Sequence, residues 1–419
     1  MTTNPPPTRD LVRVFGRIGL LSFGGPAAQI ALMHRELVDD RPWLTEKQFL
    51  DALSFCMLLP GPEAMQLATY CGWRMRGMTG GLIAGALFVL PGALVVGLLA
   101  ALYAQWGAVP LAQALFLGIK ATVVVIVLEA LLKVSKKALH GLDRWVIAGL
   151  SFVAIFAFAV PFPLIILVAG LYGALTATGS PAAPAPPARP ARTLPTVLTW
   201  AALWWAPVAL ALATGQTLLA EIGLFFSKLA VVTFGGAYAV LAYMSQEVVQ
   251  QQGWLGMDQM MDGLGLAETT PGPLILVTEF VGYLAGANAG GLALGLAAAL
   301  MTLWVTFAPC FLWIFAGAPY IERIAGRPRL AAALTAITAA VVGVILNLSI
   351  WFATHVFFDT VTQGQVGPAR LPLPDPASLN PAAAGLALLA AGLLWRLKWS
   401  LPLVLLLMAV AGVAAARIV

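Results

Sequence analysis

The chain has 419 residues, of which 60% are hydrophobic and only 10% are charged, and its formal net charge is +5. Such a composition excludes an ordinary soluble enzyme. Long apolar runs, for example Leu82–Tyr103 and Ala382–Trp395, are typical of helices that cross a bilayer. The basic residues form no concentrated patch, so no nucleic acid is expected as a partner. The sequence predicts an all-α polytopic membrane protein, with the lipid bilayer as its surroundings.

The N-terminal stretch is polar and rich in proline, and it lacks the pattern of a cleaved signal peptide. The three cysteines and three histidines are scattered without the spacing of metal ligands, so we expect no metal and no other cofactor. No nucleophile–base pair stands out in the sequence, and it contains no phosphate-binding loop. We therefore expect neither an enzyme nor an ATP-driven pump.

Two motifs of glycine and proline interrupt the first apolar segments. Ser22–Gly25 (SFGG) breaks the span predicted near residues 11–33, and Pro60–Pro62 (PGP) breaks the span predicted near 48–73. The helix that precedes each break is only about 20 Å long, whereas the hydrocarbon layer is about 30 Å thick. Both breaks are therefore predicted near the middle of the membrane.

Each break is expected to begin a new helix. Pro26 and Pro62 stand at what reads as the first position of that helix, where proline is favoured. Thr45 with Gln48 three residues later reads as a capping box that opens the helix before the second break. Helix N-termini with unpaired N–H groups and positive dipole ends are thus predicted deep inside the protein.

The second half repeats both motifs. Thr233–Gly236 (TFGG) is as far from the first FGG as Pro271–Pro273 is from the first PGP. Further residues match in the same register: Arg17 with Lys228, Glu36 with Glu247, Trp43 with Trp254, and Asp51 with Asp262. The chain is therefore a duplicated unit.

Three regions follow from this duplication. Residues 1–177 are predicted as the first repeat, 178–220 as a linker rich in proline and alanine plus an inverting helix, and 221–419 as the second repeat. About thirteen spans are counted, so the extra helix would give the two repeats inverted topology. Most of the 23 basic residues fall on one side, which predicts a cytoplasmic N-terminus in the cell (inner) membrane.

The breaks and two intramembrane cations predict an anion site near the bilayer midplane. Glycines let the backbone approach a bound group closely, and Arg17 and Lys228 precede the FGG motifs by about one turn. An alternative is that Arg17 pairs with an acid such as Asp51. The predicted substrate-binding residues are Arg17, Ser22, Gly24, Gly25, Pro60, Gly61, Lys228, Thr233, Gly235, Gly236, Pro271 and Gly272.

Several acids also lie within predicted spans. An ionised carboxylate beside an anion site repels the substrate, so protonation and anion binding would be coupled. The acids within spans are Asp51, Glu63, Glu129, Asp262, Glu268 and Glu279. Our candidates for proton coupling are Asp51, Glu63, Asp262 and Glu268. At any one of these positions, a buried acid paired with a base is an equal alternative.

With these residues in view, the chain resembles the chromate ion transporter family in its long, two-domain form. The resemblance covers nearly the whole chain and rests on FGRIGLLSFGGPAAQIALM, LLPGPEAMQLATYCGW and their second-half counterparts KLAVVTFGGAYAVL and ETTPGPLILVTEFVGY. It implies inverted halves with thirteen spans, and export of chromate across the cytoplasmic membrane, driven by the proton gradient, which gives chromate resistance. The second FGG is followed by Ala237, whereas the first is followed by Pro26.

Three functional interpretations stay open at this point. The first is a secondary transporter that exports chromate; the second is an importer of sulfate or another oxyanion; the third is an anion channel or a membrane scaffold. Acids near the breaks favour a transporter over an anion channel. The expected partners are a chromate-like or sulfate-like oxyanion and the bilayer, with a homodimer left open.

Overall fold

The described part of the chain is built mainly of helices. The computed structural model describes residues 6–23, 25–177, 193–234, 237–321, 327–366 and 369–417. The helices are α1 (Thr8–Leu21), α2 (Gly25–His34), α3 (Glu46–Cys56), α4 (Glu63–Trp106), α5 (Pro110–Ala138), α6 (Leu142–Phe158), α7 (Phe162–Thr176), α8 (Thr193–Ala213), α9 (Thr217–Val232), α10 (Ala237–Gln246), α11 (Met257–Thr269), α12 (Val277–Gly317), α13 (Pro328–Phe357), α14 (Pro381–Ala391) and α15 (Leu401–Ala415). An antiparallel hairpin of β1 (Val361–Val366) and β2 (Ala369–Pro374) lies between α13 and α14.

Five of the described helical segments are long and apolar enough to cross a bilayer. They are Glu63–Trp106, Pro110–Ala138, Thr193–Ala213, Leu274–Tyr320 and Pro328–Phe357. Shorter apolar helices include α7 and α15. The prediction of an all-α polytopic membrane protein is confirmed, while the count of thirteen spans and the inversion of the repeats stay predictions.

The two longest helices are each bent. Arg76 and Gly77 interrupt α4 with non-helical dihedrals, and Gly290 and Gly291 interrupt α12 in the same way. Gly77 has φ 60° and Gly291 has φ 77°, values in the left-handed region that glycine adopts without steric cost. Each of these helices therefore consists of two halves, and the first half follows a PGP motif.

The chain reverses its direction between α1 and α2. Arg17 Nε lies 3.5 Å from Glu36 Oε1, although one continuous helix would separate the two residues by about 28 Å. The two helices therefore form a hairpin, and residues 11–33 are not the single crossing that the sequence predicts. Gly25, the first residue of α2, has φ 79°, which lets α2 start in a new direction.

The chain forms two compact units that do not follow the sequence repeats. Unit 1 consists of Met1–Ala104, Thr178–Ala237 and Thr270–Ala331, and unit 2 consists of Gln105–Ala177, Tyr238–Thr269 and Ala332–Val419. Each unit thus takes segments from both predicted repeats. Both FGG and both PGP motifs fall within unit 1.

The start of α3 confirms the predicted capping box. Thr45 Oγ1 accepts from the Gln48 N–H at 3.3 Å, and Gln48 Oε1 accepts from the Thr45 N–H at 3.2 Å. Beside it, the ring of His34 lies between two carboxylates, 2.6 Å from Glu46 Oε2 and 3.3 Å from Asp39 Oδ2. The hydrogen bond with Glu46 is the main reason that the pKa of His34 is raised above its usual value of 6.5, against a smaller opposing effect of burial.

This cluster predicts a pH-dependent contribution to stability. Because the folded state raises the pKa of His34, the contribution is complete below the unfolded value and is lost as the pH rises through the folded value. We expect the thermal unfolding temperature of the detergent-solubilised protein to fall as the pH rises from roughly 6 to 8, and this fall to be smaller in His34→Gln. His140→Gln, which changes an exposed histidine, is the matched control. A pH profile that His34→Gln leaves unchanged would contradict the assignment.

Candidate functional site

The structure brings the starts of four helical segments to one small cavity within unit 1. Its lining takes Pro26 and Gln29 from the start of α2, Pro62–Ala64 from the start of α4, Ala237 from the start of α10, and Pro273–Ile275 from the turn that leads into α12. Helix N-termini present N–H groups without intrahelical acceptors and the positive ends of helix dipoles. The cavity wall is therefore suited to an anion.

Two backbone hydrogen bonds join the motifs crosswise beside this cavity. The Gly61 N–H donates to the carbonyl oxygen of Thr233 at 2.8 Å, and the Gly272 N–H donates to the carbonyl oxygen of Ser22 at 2.7 Å. Gly61 and Gly272 are equivalent in the two repeats, and so are Ser22 and Thr233. The two bonds are therefore the same contact made in both directions, and each PGP motif is the partner of the FGG motif in the other repeat.

The side chains of Ser22 and Thr233 serve the ends of their own helices. The Ser22 hydroxyl donates to the Ile18 carbonyl at 2.6 Å, and the Thr233 hydroxyl donates to the Leu229 carbonyl at 2.7 Å. Both side chains are buried. In this conformation the two residues therefore contribute carbonyl groups to the junction, and their hydroxyl hydrogens are already engaged.

Each PGP motif requires glycine at its centre, because the backbone has a positive φ there and a side chain would have no space. Gly61 has φ 117° and Gly272 has φ 93°, in the region that residues with a side chain rarely adopt. A Cβ on Gly61 would lie 2.8 Å from Gln66 Nε2 and 3.0 Å from Cys310 Sγ, and one on Gly272 would lie 2.8 Å from Leu276 Cδ1. Any larger residue at either position would push on these neighbours.

The prolines that open the PGP motifs fix the motifs to nearby helices. The Pro60 carbonyl oxygen accepts from Gln66 Nε2 at 2.6 Å. The Pro271 carbonyl oxygen approaches Gly92 of α4 so closely that a Cβ there would lie 2.4 Å from it. The carbonyl groups of both prolines thus contact α4.

Two buried glutamines at the junction were not found by the sequence reasoning. Gln29 Nε2 donates to the Gly272 carbonyl at 2.8 Å, and Gln66 Nε2 makes the bond to Pro60 described above. Gln66 Oε1 is buried and has no hydrogen-bond partner among the described residues. The equivalent residues of the second repeat are Val240 and Val277. Polar residues that flank the motifs in one repeat alone are the signal that could have identified them.

The cavity is narrow in this conformation. Its volume is about 20 Å³, enough for about one water molecule and too small for an anion with four oxygen atoms. Among the described residues that line it, none is basic and Glu63 is acidic. The first intrahelical hydrogen bond of α4 runs from the Gln66 N–H to the Pro62 carbonyl oxygen at 3.1 Å. A tetrahedral anion can therefore enter only if the motifs move apart.

Arg17 does not line the cavity in this conformation. Its side chain is 58% exposed, and its partner is Glu36, which is only 1% exposed and also binds Arg41. Two guanidinium groups thus neutralise one buried carboxylate at the α1–α2 hairpin. The alternative partner Asp51 is exposed on α3.

The remaining predicted binding residues are distributed as follows. Lys228 is exposed on α9, and it does not line the cavity. Gly25 is the first residue of α2, next to Pro26. Gly24, Gly235 and Gly236 lie outside the described residues.

Asp262 is held by a lysine in unit 2. Lys120 Nζ lies 3.3 Å from Asp262 Oδ1 and 3.4 Å from Asp258 Oδ1. Asp262 is fully buried, whereas Asp258 is exposed. Lys120 therefore neutralises the buried carboxylate and joins α5 to α11. Asp51, the repeat equivalent of Asp262, is exposed, so the two aspartates have different surroundings.

Glu268 has a hydroxyl partner in unit 2. Tyr238 Oη donates to Glu268 Oε1 at 3.0 Å, and this links the first turn of α10 to the last turn of α11. The equivalent residues in the first repeat are Ala27 and Met57, so this contact exists in the second repeat alone. Sequence reasoning identified Glu268 but missed Tyr238. Glu63, the fourth acid, lines the cavity as the first residue of α4.

The chain is similar in sequence to several known proteins. The chain is 34% identical to a chromate transport protein of Pseudomonas aeruginosa, over 97% of this chain and 93% of the relative. It is 32% identical to a chromate transport protein of Cupriavidus metallidurans, over 84% of each. An uncharacterized transporter of Bacillus subtilis, YwrA, is 32% identical over 39% of this chain but 94% of its own length. No solved structure matches the chain.

The half-length relative is consistent with a duplicated unit. The family model described as Chromate transporter matches the chain twice, at residues 9–174 and at residues 220–413. The repeat boundaries at 1–177 and 221–419 stay a prediction. The chain is a member of the chromate transporter family.

Proposed function

We propose that this protein is a secondary transporter that exports chromate across the cytoplasmic membrane, driven by the proton gradient, and so confers chromate resistance. The observation that carries the proposal is the convergence of four helix starts on one cavity. The family and the names of the relatives from Pseudomonas aeruginosa and Cupriavidus metallidurans supply the substrate.

The cavity wall suits a tetrahedral dianion for a chemical reason. Chromate spreads its charge over several oxygen atoms, each of which accepts hydrogen bonds, and helix N-termini offer N–H donors at fixed positions. When the motifs separate, the crosswise bonds of Gly61 and Gly272 are released, and their N–H groups join those donors. The Gln29 and Gln66 amides lie beside these bonds and add further donors.

The small volume of the cavity favours a transporter over a channel. A channel needs a continuous path for its ion, whereas a transporter passes through states in which the site is sealed from both sides. Alternating access would open the cavity first to one side and then to the other. The predicted cytoplasmic N-terminus and the inverted repeats, with boundaries at 1–177 and 221–419, belong to this proposal.

Arg17 is proposed as the cation that receives the anion on its way to the cavity. It is exposed, and Arg41 also binds the carboxylate of Glu36, so Glu36 keeps a counterion when Arg17 turns to the anion. An arriving dianion competes with Glu36 for the guanidinium group. Lys228 would have the same role in the second repeat.

The four acids proposed for proton coupling have different surroundings. Glu63 faces the cavity, so its ionised form would repel the substrate and its protonated form would admit it. Glu268 is buried with Tyr238 as its donor, and Asp262 is buried with Lys120 as its counterion. Asp51 is exposed. Of the four, Glu63 and Glu268 suit a proton carrier better than Asp262, whose ion pair stabilises the charged form.

The first test is uptake of radioactive chromate into inverted membrane vesicles with an imposed proton gradient. We expect gradient-dependent uptake by the wild type and a loss of about tenfold or more in Arg17→Ala, since about 1.4 kcal/mol of lost anion binding already gives that factor. Arg13→Ala, an exposed arginine one turn earlier on α1, is the matched control and should transport normally. Excess sulfate in the same assay distinguishes a chromate site from a general oxyanion site. Uptake indifferent to the gradient and to Arg17 would contradict the mechanism.

The second test addresses the crosswise junction. Gly61→Ala and Gly272→Ala each place a side chain at a positive φ, at a cost of about 1–3 kcal/mol, and displace the neighbours named above. We expect both variants to lower chromate transport by about tenfold or more while the protein remains in the membrane. Gly16→Ala, where a Cβ would meet no atom within 4 Å, is the control. Normal transport by both junction variants would show that the bonds of Gly61 and Gly272 have no part in the cycle.

A further inference from the structure

A buried carboxyl group without a partner lies on α12. Glu279 is 4% exposed, and its Oε2 is buried without a hydrogen-bond partner. Among the described residues, neither a hydrogen bond nor an ion pair joins Glu279 to any other side chain. It differs in this respect from Asp262, which has Lys120, and from Glu268, which has Tyr238.

The surroundings of Glu279 are shaped to contain it but offer no countercharge. Gly97 of α4 faces it, and a Cβ at that position would lie 3.0 Å from Glu279 Oε1. The neighbouring Phe280 packs against the ring of Tyr103 at 5.3 Å between centroids. Gly97 thus leaves the space that the carboxyl group occupies.

The helices that pack around Glu279 carry few charges. Glu279 is the only charged residue of α12, and α4 has none from Gly77 to its end. α8 and α9 also pack against α12; α8 has no charged residue, and Glu221 and Lys228 of α9 are exposed. The tyrosine hydroxyls on these elements are those of Tyr70 and Tyr103 on α4 and Tyr283 on α12.

An ionised carboxylate in these surroundings would be costly. Burial of an unpaired charge in an apolar environment is strongly unfavourable, and the group avoids this cost by binding a proton. We propose that Glu279 holds a proton in this conformation and carries a coupling proton in addition to the acids named above. The inference rests on the proposed transport of chromate and adds to it the position of the proton.

The proton follows a simple path in this scheme. A carboxylate oxygen of Glu279 binds one proton from the side of higher proton concentration, and releases it when a rearrangement exposes the group to water on the other side. The bend at Gly290 and Gly291 ends the half of α12 that carries Glu279, so this half can move as a unit. The repeat equivalent of Glu279 is Ala68, which predicts one such proton site per chain.

The first experiment separates chromate movement from proton coupling in proteoliposomes. We expect Glu279→Gln to retain downhill exchange of radioactive chromate within about twofold but to lose accumulation driven by an imposed pH gradient by about tenfold or more. Glu221→Gln, an exposed glutamate on α9, is the matched control and should keep both. Accumulation equal to that of the wild type would overturn the proposal, and so would the loss of exchange together with accumulation in a folded variant.

The second experiment needs no transport and covers the case in which the variant folds poorly. The infrared spectrum of the wild-type protein at neutral pH should contain the C=O stretching band of a protonated carboxylic acid, shifted in D₂O and absent in Glu279→Asn or Glu279→Gln. Its absence in the wild type would overturn the proposal. If the wild type shows no chromate flux of any kind, the proposed function fails, while this band still decides whether Glu279 holds a proton.

Discussion

The region around the cavity depends on the two crosswise backbone hydrogen bonds. Broken helices inside a membrane protein expose N–H and carbonyl groups that find no water, so each group must have a partner within the protein. The N–H groups of Gly61 and Gly272 find theirs on Thr233 and Ser22. The other half of the sequence thus supplies the acceptor for the central N–H group of each PGP motif. This mutual requirement explains why unit 1 contains segments from both repeats.

Helix ends, not basic side chains, supply the positive charge at the cavity. The buried Glu36 is bound by two arginines and the buried Asp262 by Lys120. None of the described residues that line the cavity is basic, so the positive potential in the cavity comes from the helix ends. A helix N-terminus is equivalent to about half an elementary charge, which holds an anion less firmly than a fixed guanidinium group would. A transporter has to release its substrate after each cycle, and a site of fractional charges suits that requirement.

Local patterns in the sequence predicted the helix starts well and the side-chain partners poorly. The FGG and PGP motifs located the breaks, and Thr45 located the start of α3, because proline, glycine and capping residues act on their own backbone. The contact of Arg17 with Glu36 depends on the reversal of the chain at Gly25, and a hydropathy pattern cannot distinguish a hairpin from a crossing. The partners of Gln29 and Glu268 depend on residues far away in the sequence, so composition and spacing carried no signal for them.

The joining of two copies in one chain has a chemical consequence. Two separate, identical subunits must place the same residue at both equivalent positions, whereas a fused pair is free to diverge. Here the glutamines occur in one half, opposite Val240 and Val277, and the buried Glu268 and Glu279 occur in the other. Fusion thus permits the two halves to differ chemically, with neutral hydrogen-bond donors in one half and buried carboxyl groups in the other.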